Sequence, residues 1–187
     1  ERRALLLAVT RLILESPAAG PALTEALFAQ VRDHLDADLC FNYRLEEGAL
    51  RLVASVGIPP AFRAAAQRQS LDQAFCGTAA ATCTPLMADA ERIMSDPKGE
   101  FVRDMGIRAY ACHPLFAGDG QVLGTLSFAS TRRAAFTTEE IEFLQTICHF
   151  VALAWERQQI TDALRQLNVE LEKRVADRTA ALEQINH

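Results

Sequence analysis

The chain has 187 residues, half of them hydrophobic, and a formal net charge of −5 at pH 7. That length allows one domain of about 130 to 150 residues with helical extensions, and the acidic balance argues against nucleic acid as a partner, because phosphate contacts need a basic patch. No apolar run reaches the roughly 20 residues of a membrane span and no signal peptide is visible, so we expect no direct membrane contact.

The cysteines indicate the compartment in which the chain resides, and its two ends indicate its relation to a longer protein. Five cysteines, an odd number without a short framework spacing, favour a reducing compartment over a disulfide scaffold, so we expect a cytoplasmic location. Glu1 begins directly in a helical pattern and His187 falls in the middle of one. We therefore expect the chain to be a section of a longer protein.

Two amphipathic helices are predicted at the start of the chain. The first covers residues 2–15, and Ser16 followed by Pro17 ends it. The second covers residues 21–35, with leucine, phenylalanine and valine at helical spacing. Both helices have apolar faces that must be buried, and the long C-terminal helix described below is the expected place.

A β-hairpin follows these helices. Residues 38–45 alternate apolar and polar side chains, which predicts a strand, and residues 50–56 predict a second strand. Residues 46–48 between them have the composition of a tight turn. Residues 57–60 break the pattern, and residues 61–68 are predicted to form a short helix.

Residues 71–130 are predicted to contain a further helix and the remaining strands of the sheet. Residues 71–84 are predicted to be a loop that enters a helix of small residues, and residues 86–88 a short strand. Residues 91–105 are irregular or helical. Residues 107–116 and 122–130 then predict two strands joined by a tight turn. The sequence therefore predicts an α+β fold in which a central antiparallel sheet of about five or six strands is flanked by helices.

The last fifty residues or so predict one long helix. The stretch 137–187 contains neither Pro nor Gly, and Thr137 and Glu140 have the spacing of a capping box at its start. The helix is broadly apolar from Ile141 to Trp155, which suits a helix packed on more than one side. At about 1.5 Å per residue it would be roughly 75 Å long, so its far end must leave the globule.

Beyond Trp155 the apolar residues narrow to a stripe with the spacing of a coiled-coil seam. The apolar residues of the stripe recur at spacings of four, three and four residues. A second consecutive spacing of four, from Leu171 to Val175, is a stutter that locally unwinds a supercoil. We expect a homodimer through this seam; the alternative is a single amphipathic helix lying on its own domain, for which the stripe is narrow. The seam residues are Ile160, Leu164, Leu167, Leu171, Val175, Leu182 and Ile185.

The order of these elements, together with three particular stretches, resembles a GAF domain. The stretches are FCGTAAATCTPLMAD from Phe75, GIRAYACHPLFAGDGQVLGTLSF from Gly106 and FTTEEIEFLQTICHFVALAWE from Phe136. They are similar to the mid-domain helix and strand, the central hairpin and the closing helix of GAF domains in bacterial sensor proteins. The resemblance implies a ligand pocket on one face of the sheet and dimer-forming helices on the other.

The stretch LNVELEKRVADRTAALEQIN, residues 167–186, resembles the helical linker that precedes histidine kinase or cyclase output modules. Together the two resemblances imply an N-terminal helix at residues 1–20, a GAF-like sensory domain at residues 21–157 and a coiled-coil signalling linker at residues 158–187. The implied parent is a histidine kinase of a two-component system or a similar signalling enzyme. The chain itself is expected to be non-catalytic: it would bind a small ligand or respond to redox state and pass the signal along a parallel dimer.

The resemblance places the candidate ligand site between the mid-domain helix and the sheet. Phe75 and Cys76 begin that helix, and Tyr110 and Cys112 share one face of the strand that follows. These four residues are the predicted ligand contacts. Periodicity alone does not decide which face of the sheet looks into the pocket.

The sequence favours no cofactor, and metal, haem and bilin are each disfavoured. Cys76 and Cys83 would lie about 10 Å apart on one helix, too far to share a zinc ion. Cys112 and His113 are neighbours on a strand, so their side chains point to opposite faces. His113 and His149 are the candidate haem ligands inside the domain, and the motifs of bilin-binding relatives are not recognisable.

Two other functions stay open at this point. A structural dimerisation module without a ligand would have the same seam and the same sheet. The free methionine sulfoxide reductases, enzymes with a GAF fold, use active-site cysteines, which need exposure and a lowered thiol pKa. No lysine or arginine adjoins Cys76 or Cys112 in the sequence, and Arg108, four residues from Cys112, is the nearest cation to it.

Overall fold

Six strands form one antiparallel sheet in the computed structural model, which describes residues 2–16 and 19–185, with the side chains of Arg2 and residues 183–185 outside this description. The strands are β1 (Leu39–Glu46), β2 (Ala49–Val56), β3 (Arg68–Ser70), β4 (Leu86–Ala88), β5 (Ala109–Phe116) and β6 (Val122–Ser130). Their order across the sheet is β3-β2-β1-β6-β5-β4. The predicted α+β class with a central antiparallel sheet is confirmed.

Helices precede, interrupt and follow the strands. The α-helices are α1 (Arg2–Glu15), α2 (Pro21–Leu35), α3 (Arg63–Ala66), α4 (Phe75–Thr82), α5 (Ala90–Ser95), α6 (Glu100–Asp104) and α7 (Thr138–Ile185). Short 3₁₀ turns occupy Pro60–Phe62 and Pro97–Gly99. The second of these turns interrupts the stretch that the sequence left as irregular or helical.

Both central hairpins form as predicted, and the geometry of their turns gives the reason. Glu47 and Gly48, at the tip between β1 and β2, both have positive φ, of 50° and 75°, the backbone that matches the twist of a two-residue hairpin. Between β5 and β6, Gly120 has φ 85°, and the Ala117 amide donates to the carbonyl of Gln121 at 2.9 Å. These turns set the registers of the strands that hold the site.

The edge strand β3 was not predicted. The sequence indicated a helix as far as Arg68, but α3 ends at Ala66, and Arg68–Ser70 pairs antiparallel with β2. A three-residue strand with polar side chains shows no alternation long enough to recognise. Its pairing is decided instead by the free edge of β2.

Helices cover both faces of the sheet and divide the core in two. On one face, here called the helix-bundle face, α1, α2 and α7 bury Ala111, Leu126 and Phe128. On the opposite face, here called the α4 face, α4, α5 and α6 cover Phe41 and Tyr110. Within the helix layer α1 lies against α7, as expected, whereas α2 packs mainly against α1 and β2.

The long helix α7 begins at the predicted capping box. The Thr137 amide donates to Oε2 of Glu140 at 2.7 Å, and the Glu140 amide donates back to Oγ1 of Thr137 at 3.3 Å. Arg133 holds the same carboxylate with two hydrogen bonds of 2.7 Å. The 48 residues of α7 then run without interruption for about 72 Å. The predicted single long helix is confirmed as far as Ile185.

Candidate functional site

The four predicted ligand contacts lie together on the α4 face of the sheet. Phe75 and Cys76 begin α4 and point down onto β5, where Tyr110 and Cys112 point up, and all four side chains are buried. The rings of Phe75 and Tyr110 have their centroids 5.7 Å apart. The structure therefore decides the question that periodicity left open: Tyr110 and Cys112 face α4 rather than α7.

The small residues of α4 allow this close packing. An added Cβ at Gly77 would lie 2.1 Å from the backbone oxygen of Ser70, a separation no side chain tolerates. The helix thus sits directly on the chain that leaves β3. The Lys98 ammonium, from the opposite side, donates to the Thr78 hydroxyl at 3.0 Å. This contact holds the exposed side of α4.

A chain of hydroxyl and thiol groups crosses the buried side of α4. The Tyr110 hydroxyl donates to Oγ of Ser127, on the neighbouring strand β6, at 2.9 Å. The Tyr110 hydroxyl lies close enough to the Cys76 thiol to lower the pKa of that thiol. The hydroxyls of Tyr110 and Ser127 both lie close enough to the Cys112 thiol to lower its pKa. These polar groups are enclosed in an otherwise apolar core.

Burial sets the protonation of this cluster. It raises the pKa of the Cys76 thiol well above its ordinary value, and the nearby Cys112 raises it further. It raises the pKa of Cys112 to about 11, although the hydroxyls of Ser127 and Tyr110 oppose the shift. The pKa of the Tyr110 hydroxyl is also raised by burial. At neutral pH all these groups are therefore uncharged hydrogen-bond donors and acceptors.

Two further hydroxyls on the α4 face have no hydrogen-bond partner among the described residues. They belong to Tyr43 of β1 and Thr125 of β6, which stand directly opposite each other across the two strands, and both side chains are buried. The Cys112 thiol lies near Thr125 and has its pKa affected by that hydroxyl, but a thiol is a weak hydrogen-bonding group. Neither of these two residues, nor Ser127, was predicted from the sequence as part of the site. Strand alternation shows which face a residue takes but not whether its hydroxyl finds a partner.

The remaining cysteines and histidines do not join this cluster. Cys83 is the exposed C-cap of α4, in the left-handed region at φ 54°, and Cys76 is buried at the other end of the helix. Cys112 and His113 do point to opposite faces, and His149 is exposed on α7. Within residues 2–16 and 19–185, no three His, Cys, Asp or Glu side chains stand close enough to hold a metal ion.

The predicted seam of α7 is an exposed apolar stripe in the single chain. Ile160, Leu164, Leu167, Leu171, Val175 and Leu182 are each 48–64% exposed. The side chain of the last predicted seam residue, Ile185, lies outside the described residues. In the described part of the chain, no helix has both the length and the apolarity to cross a lipid bilayer.

Comparison with known proteins identifies the family. The family profile of the GAF domain matches residues 21–155, and the chain belongs to this family. The chain is also 30% identical over 179 residues to the methyl sulfide methyltransferase-associated sensor of Methanosarcina acetivorans. That alignment covers 89% of the chain but only 17% of the sensor's length.

Solved structures share the fold. The GAF domain of a phosphoenolpyruvate-protein phosphotransferase from Coxiella burnetii superposes with a TM-score of 0.73 at 18% identity, covering 87% of this chain and 96% of that one. The free methionine-R-sulfoxide reductase of Neisseria meningitidis, solved with its substrate, superposes with a TM-score of 0.73 at 17% identity. This match covers 86% of the present chain and 91% of the reductase chain. At these identities the likeness establishes the fold and leaves the chemistry to the residues of the site.

Proposed function

We propose that this chain is a non-catalytic sensory domain that binds a small ligand, or responds to redox state, between α4 and the sheet. The signal then passes through a dimeric α7 to a downstream histidine kinase or cyclase module. One observation carries the proposal: Cys76, Tyr110 and Cys112 converge on a buried polar cluster beside the unpartnered hydroxyls of Tyr43 and Thr125.

The unpartnered hydroxyls support a ligand because leaving them buried is costly. A buried hydroxyl without a partner costs about 1–3 kcal/mol, and native cores contain few such groups. Tyr43 and Thr125 present two of them side by side on the face that α4 covers. A small molecule with a hydrogen-bonding group would satisfy both and recover that free energy.

The state of the thiols favours a sensor over a reductase. Nucleophilic cysteines act as thiolates, and their sites are exposed and electropositive. Cys76 and Cys112 are buried with raised thiol pKa values, so neither is poised to attack a sulfoxide. The reductases among the structural neighbours share the fold at 17% to 20% identity, which does not transfer their chemistry.

Strand β5 offers the route from the site to the output helix. Tyr110 and Cys112 point from it to α4, while Ala111, His113 and Leu115 point to the helix-bundle face, where α7 packs on the same strand. A displacement of β5 by a ligand would therefore change the packing of α7 directly. Such a shared two-state contact is what coupling between two sites requires.

The partner of α7 in this proposal is a second copy of the chain. The seam residues of α7 from Ile160 to Leu182 are exposed, and Leu153 of α7 and Leu7 and Leu14 of α1 extend the apolar surface onto the globule. A groove of about 140 Å³ between α1 and α7, lined in part by Leu14, Phe150 and Leu153, continues it. A parallel dimer would cover these residues and the coiled-coil seam in one interface.

The wider setting is proposed on the same basis. The relative from Methanosarcina acetivorans carries the name of a sensor and is much longer than this chain. The present chain would be the corresponding module of a longer signalling protein. All five cysteines are free, which supports a reducing, cytoplasmic compartment. The stutter from Leu171 to Val175 is the proposed place where two seam registers compete.

The chain's single tryptophan gives the test. Trp155 is buried on α7 beneath the Arg44 guanidinium, which lies 4.8 Å from the ring centroid. We expect a compound from a panel of small metabolites, or a change between dithiothreitol and hydrogen peroxide, to raise the melting temperature and shift Trp155 emission. The response should weaken in Tyr43→Phe and Thr125→Val, which remove the unpartnered hydroxyls.

A matched control comes from the other face of the sheet. Thr24→Val makes the same change as Thr125→Val at another buried threonine, but the Thr24 hydroxyl is bonded to Asn42 and faces away from α4. This variant should respond as the wild type does. A chain that dimerises yet responds to no compound and to neither redox agent would be a structural dimerisation module. Turnover of free methionine sulfoxide would establish the reductase instead.

A further inference from the structure

A cavity of about 170 Å³ lies on the helix-bundle face of the sheet, between β5 and α7. It stands on the opposite side of the sheet from the proposed ligand site. Its lining residues are Pro85, His113, Pro114, Phe116, Gln145, Cys148, His149 and Ala152. None of these is Asp, Glu, Lys or Arg. The walls are thus proline rings, an aromatic ring, a methyl group and a buried thiol, with the amide and imidazoles as polar groups.

His113 is the buried polar side chain of this cavity. It is only 2% exposed, and neither Nδ1 nor Nε2 has a hydrogen-bond partner among the described residues. Burial lowers its pKa to about 4, so the ring is neutral at pH 7. A neutral imidazole carries one N–H donor and one acceptor nitrogen. Both are left unused here, at the cost that an orphaned buried polar group brings.

We propose that this cavity binds a small uncharged hydroxylated aromatic molecule, of the size of phenol, whose hydroxyl bonds to the His113 ring. The volume sets the size, since a dry cavity of about 150 Å³ accepts benzene. The absence of charged side chains from the lining sets the charge, because an ion entering here would lose water without gaining a counter-ion. The unused imidazole nitrogens supply the hydrogen bond.

The mouth of the cavity lies on α7. Gln145 and His149, one helical turn apart, are exposed there, and Phe116 on β5 is also exposed. A ligand seated behind them would contact β5 on one side and Cys148 and Ala152 of α7 on the other. The occupant would therefore brace the output helix against the sheet without touching the α4 face.

Phenol and toluene, applied to the whole 187-residue chain, test the proposal by NMR. The side-chain nitrogen shifts of His113 report on hydrogen bonding, and the two probes differ only in the polar group. We expect phenol to shift the His113 nitrogens and to bind with a dissociation constant on the order of millimolar. Toluene should bind about fivefold more weakly, the worth of one hydrogen bond of about 1 kcal/mol.

Three variants test whether the His113 ring supplies the hydrogen bond to phenol. His113→Leu keeps an apolar wall but removes the nitrogens, so phenol should lose its fivefold advantage over toluene. The matched control is His34→Leu, which changes an exposed histidine of α2 and should leave both affinities unchanged. Tyr43→Phe should also leave phenol binding intact, because Tyr43 lies on the other face of the sheet.

Three results would overturn the proposal. One is phenol leaving the His113 nitrogens unmoved at the highest concentration at which the chain stays folded, as expected of a cavity that holds only water. The second is equal affinity of the wild type for phenol and toluene. The third is a preference for phenol that survives in His113→Leu. None of these results bears on the site under α4, which the Tyr43 and Thr125 variants test separately.

Discussion

The unpartnered hydroxyl of Tyr43 leads to an unusual expectation: removing it should stabilise the ligand-free chain. The side chain is almost wholly buried, and its hydroxyl has no hydrogen-bond partner among the described residues. Folding therefore strips water from this oxygen without compensation, at a cost of about 1–3 kcal/mol. Tyr43→Phe abolishes that cost, and the ring still packs against Phe41, 6.5 Å away between centroids.

Tyr110→Phe is the matched comparison, since it makes the same chemical change on the same face of the sheet. The Tyr110 hydroxyl donates to Ser127 at 2.9 Å, so its removal deletes a buried hydrogen bond and leaves the Ser127 oxygen without its donor. We expect a loss of about 1 kcal/mol or more. Tyr43→Phe on β1 and Tyr110→Phe on β5, the two neighbours of β6, should thus change the free energy of unfolding in opposite directions.

Both variants can be followed by thermal unfolding with Trp155 emission as the probe. For a chain of this size a change of about 1 kcal/mol moves the melting temperature by about 2–4 °C. We therefore expect a rise of about 4–8 °C for Tyr43→Phe, taking the middle of the range, and a fall of about 2–4 °C for Tyr110→Phe. Equal destabilisation by the two variants would refute the reasoning, because it would show that the Tyr43 hydroxyl is already satisfied in the ligand-free chain.

Three further predictions concern other parts of the structure. Burial lowers the pKa of His113 to about 4 in the folded chain. Between that pKa and the ordinary histidine pKa, the imidazole is therefore protonated in the unfolded chain but neutral in the folded chain. Stability should therefore fall by about 2.5 kcal/mol from about pH 7.5 to about pH 4.5, measured by urea unfolding, and His113→Leu should remove this fall. Val175→Glu, a seam residue 64% exposed in the single chain, should raise the dimer dissociation constant at least about tenfold in analytical ultracentrifugation, because it would bury a charge. Thr137→Ala removes the N-cap acceptor of α7 and should cost about 1 kcal/mol in thermal unfolding.

Two of these predictions have a matched control variant, and each has a contrary result. Val169 is an exposed valine of the same helix outside the seam, so Val169→Glu should leave the dimer intact; equal effects of the two valine variants would mean that the seam is not the interface. Thr138→Ala, one residue beyond the cap, should change stability little, and a loss equal to that of Thr137→Ala would argue against the capping role. If His113→Leu still loses stability on acidification as the wild type does, the loss arises from other titratable groups.

The pattern of the sequence determined most of the fold. Short apolar or alternating runs bounded by turn residues placed five of the six strands, and the capping box at Thr137 and Glu140 placed the start of α7. These features are local, since each depends on residues within one turn or one strand. The edge strand β3 was missed for the same reason, because its pairing with β2 follows from position in the sheet and not from its own residues.

The candidate site was predicted in part. Resemblance to the family brought Phe75, Cys76, Tyr110 and Cys112 together in advance, and strand parity put Cys112 and His113 on opposite faces. Whether these residues bind a ligand stays a prediction, as does the dimer through the seam.

Only the tertiary structure showed which buried polar groups lack partners. The hydrogen bond between Tyr110 and Ser127, and the lack of a partner for Tyr43 and Thr125 among the described residues, depend on the register of β1, β5 and β6. The cavity at His113 likewise depends on how α7 lies on the sheet. Periodicity assigns a side chain to a face, but the fit between two faces is set by the volumes of residues far apart in the chain.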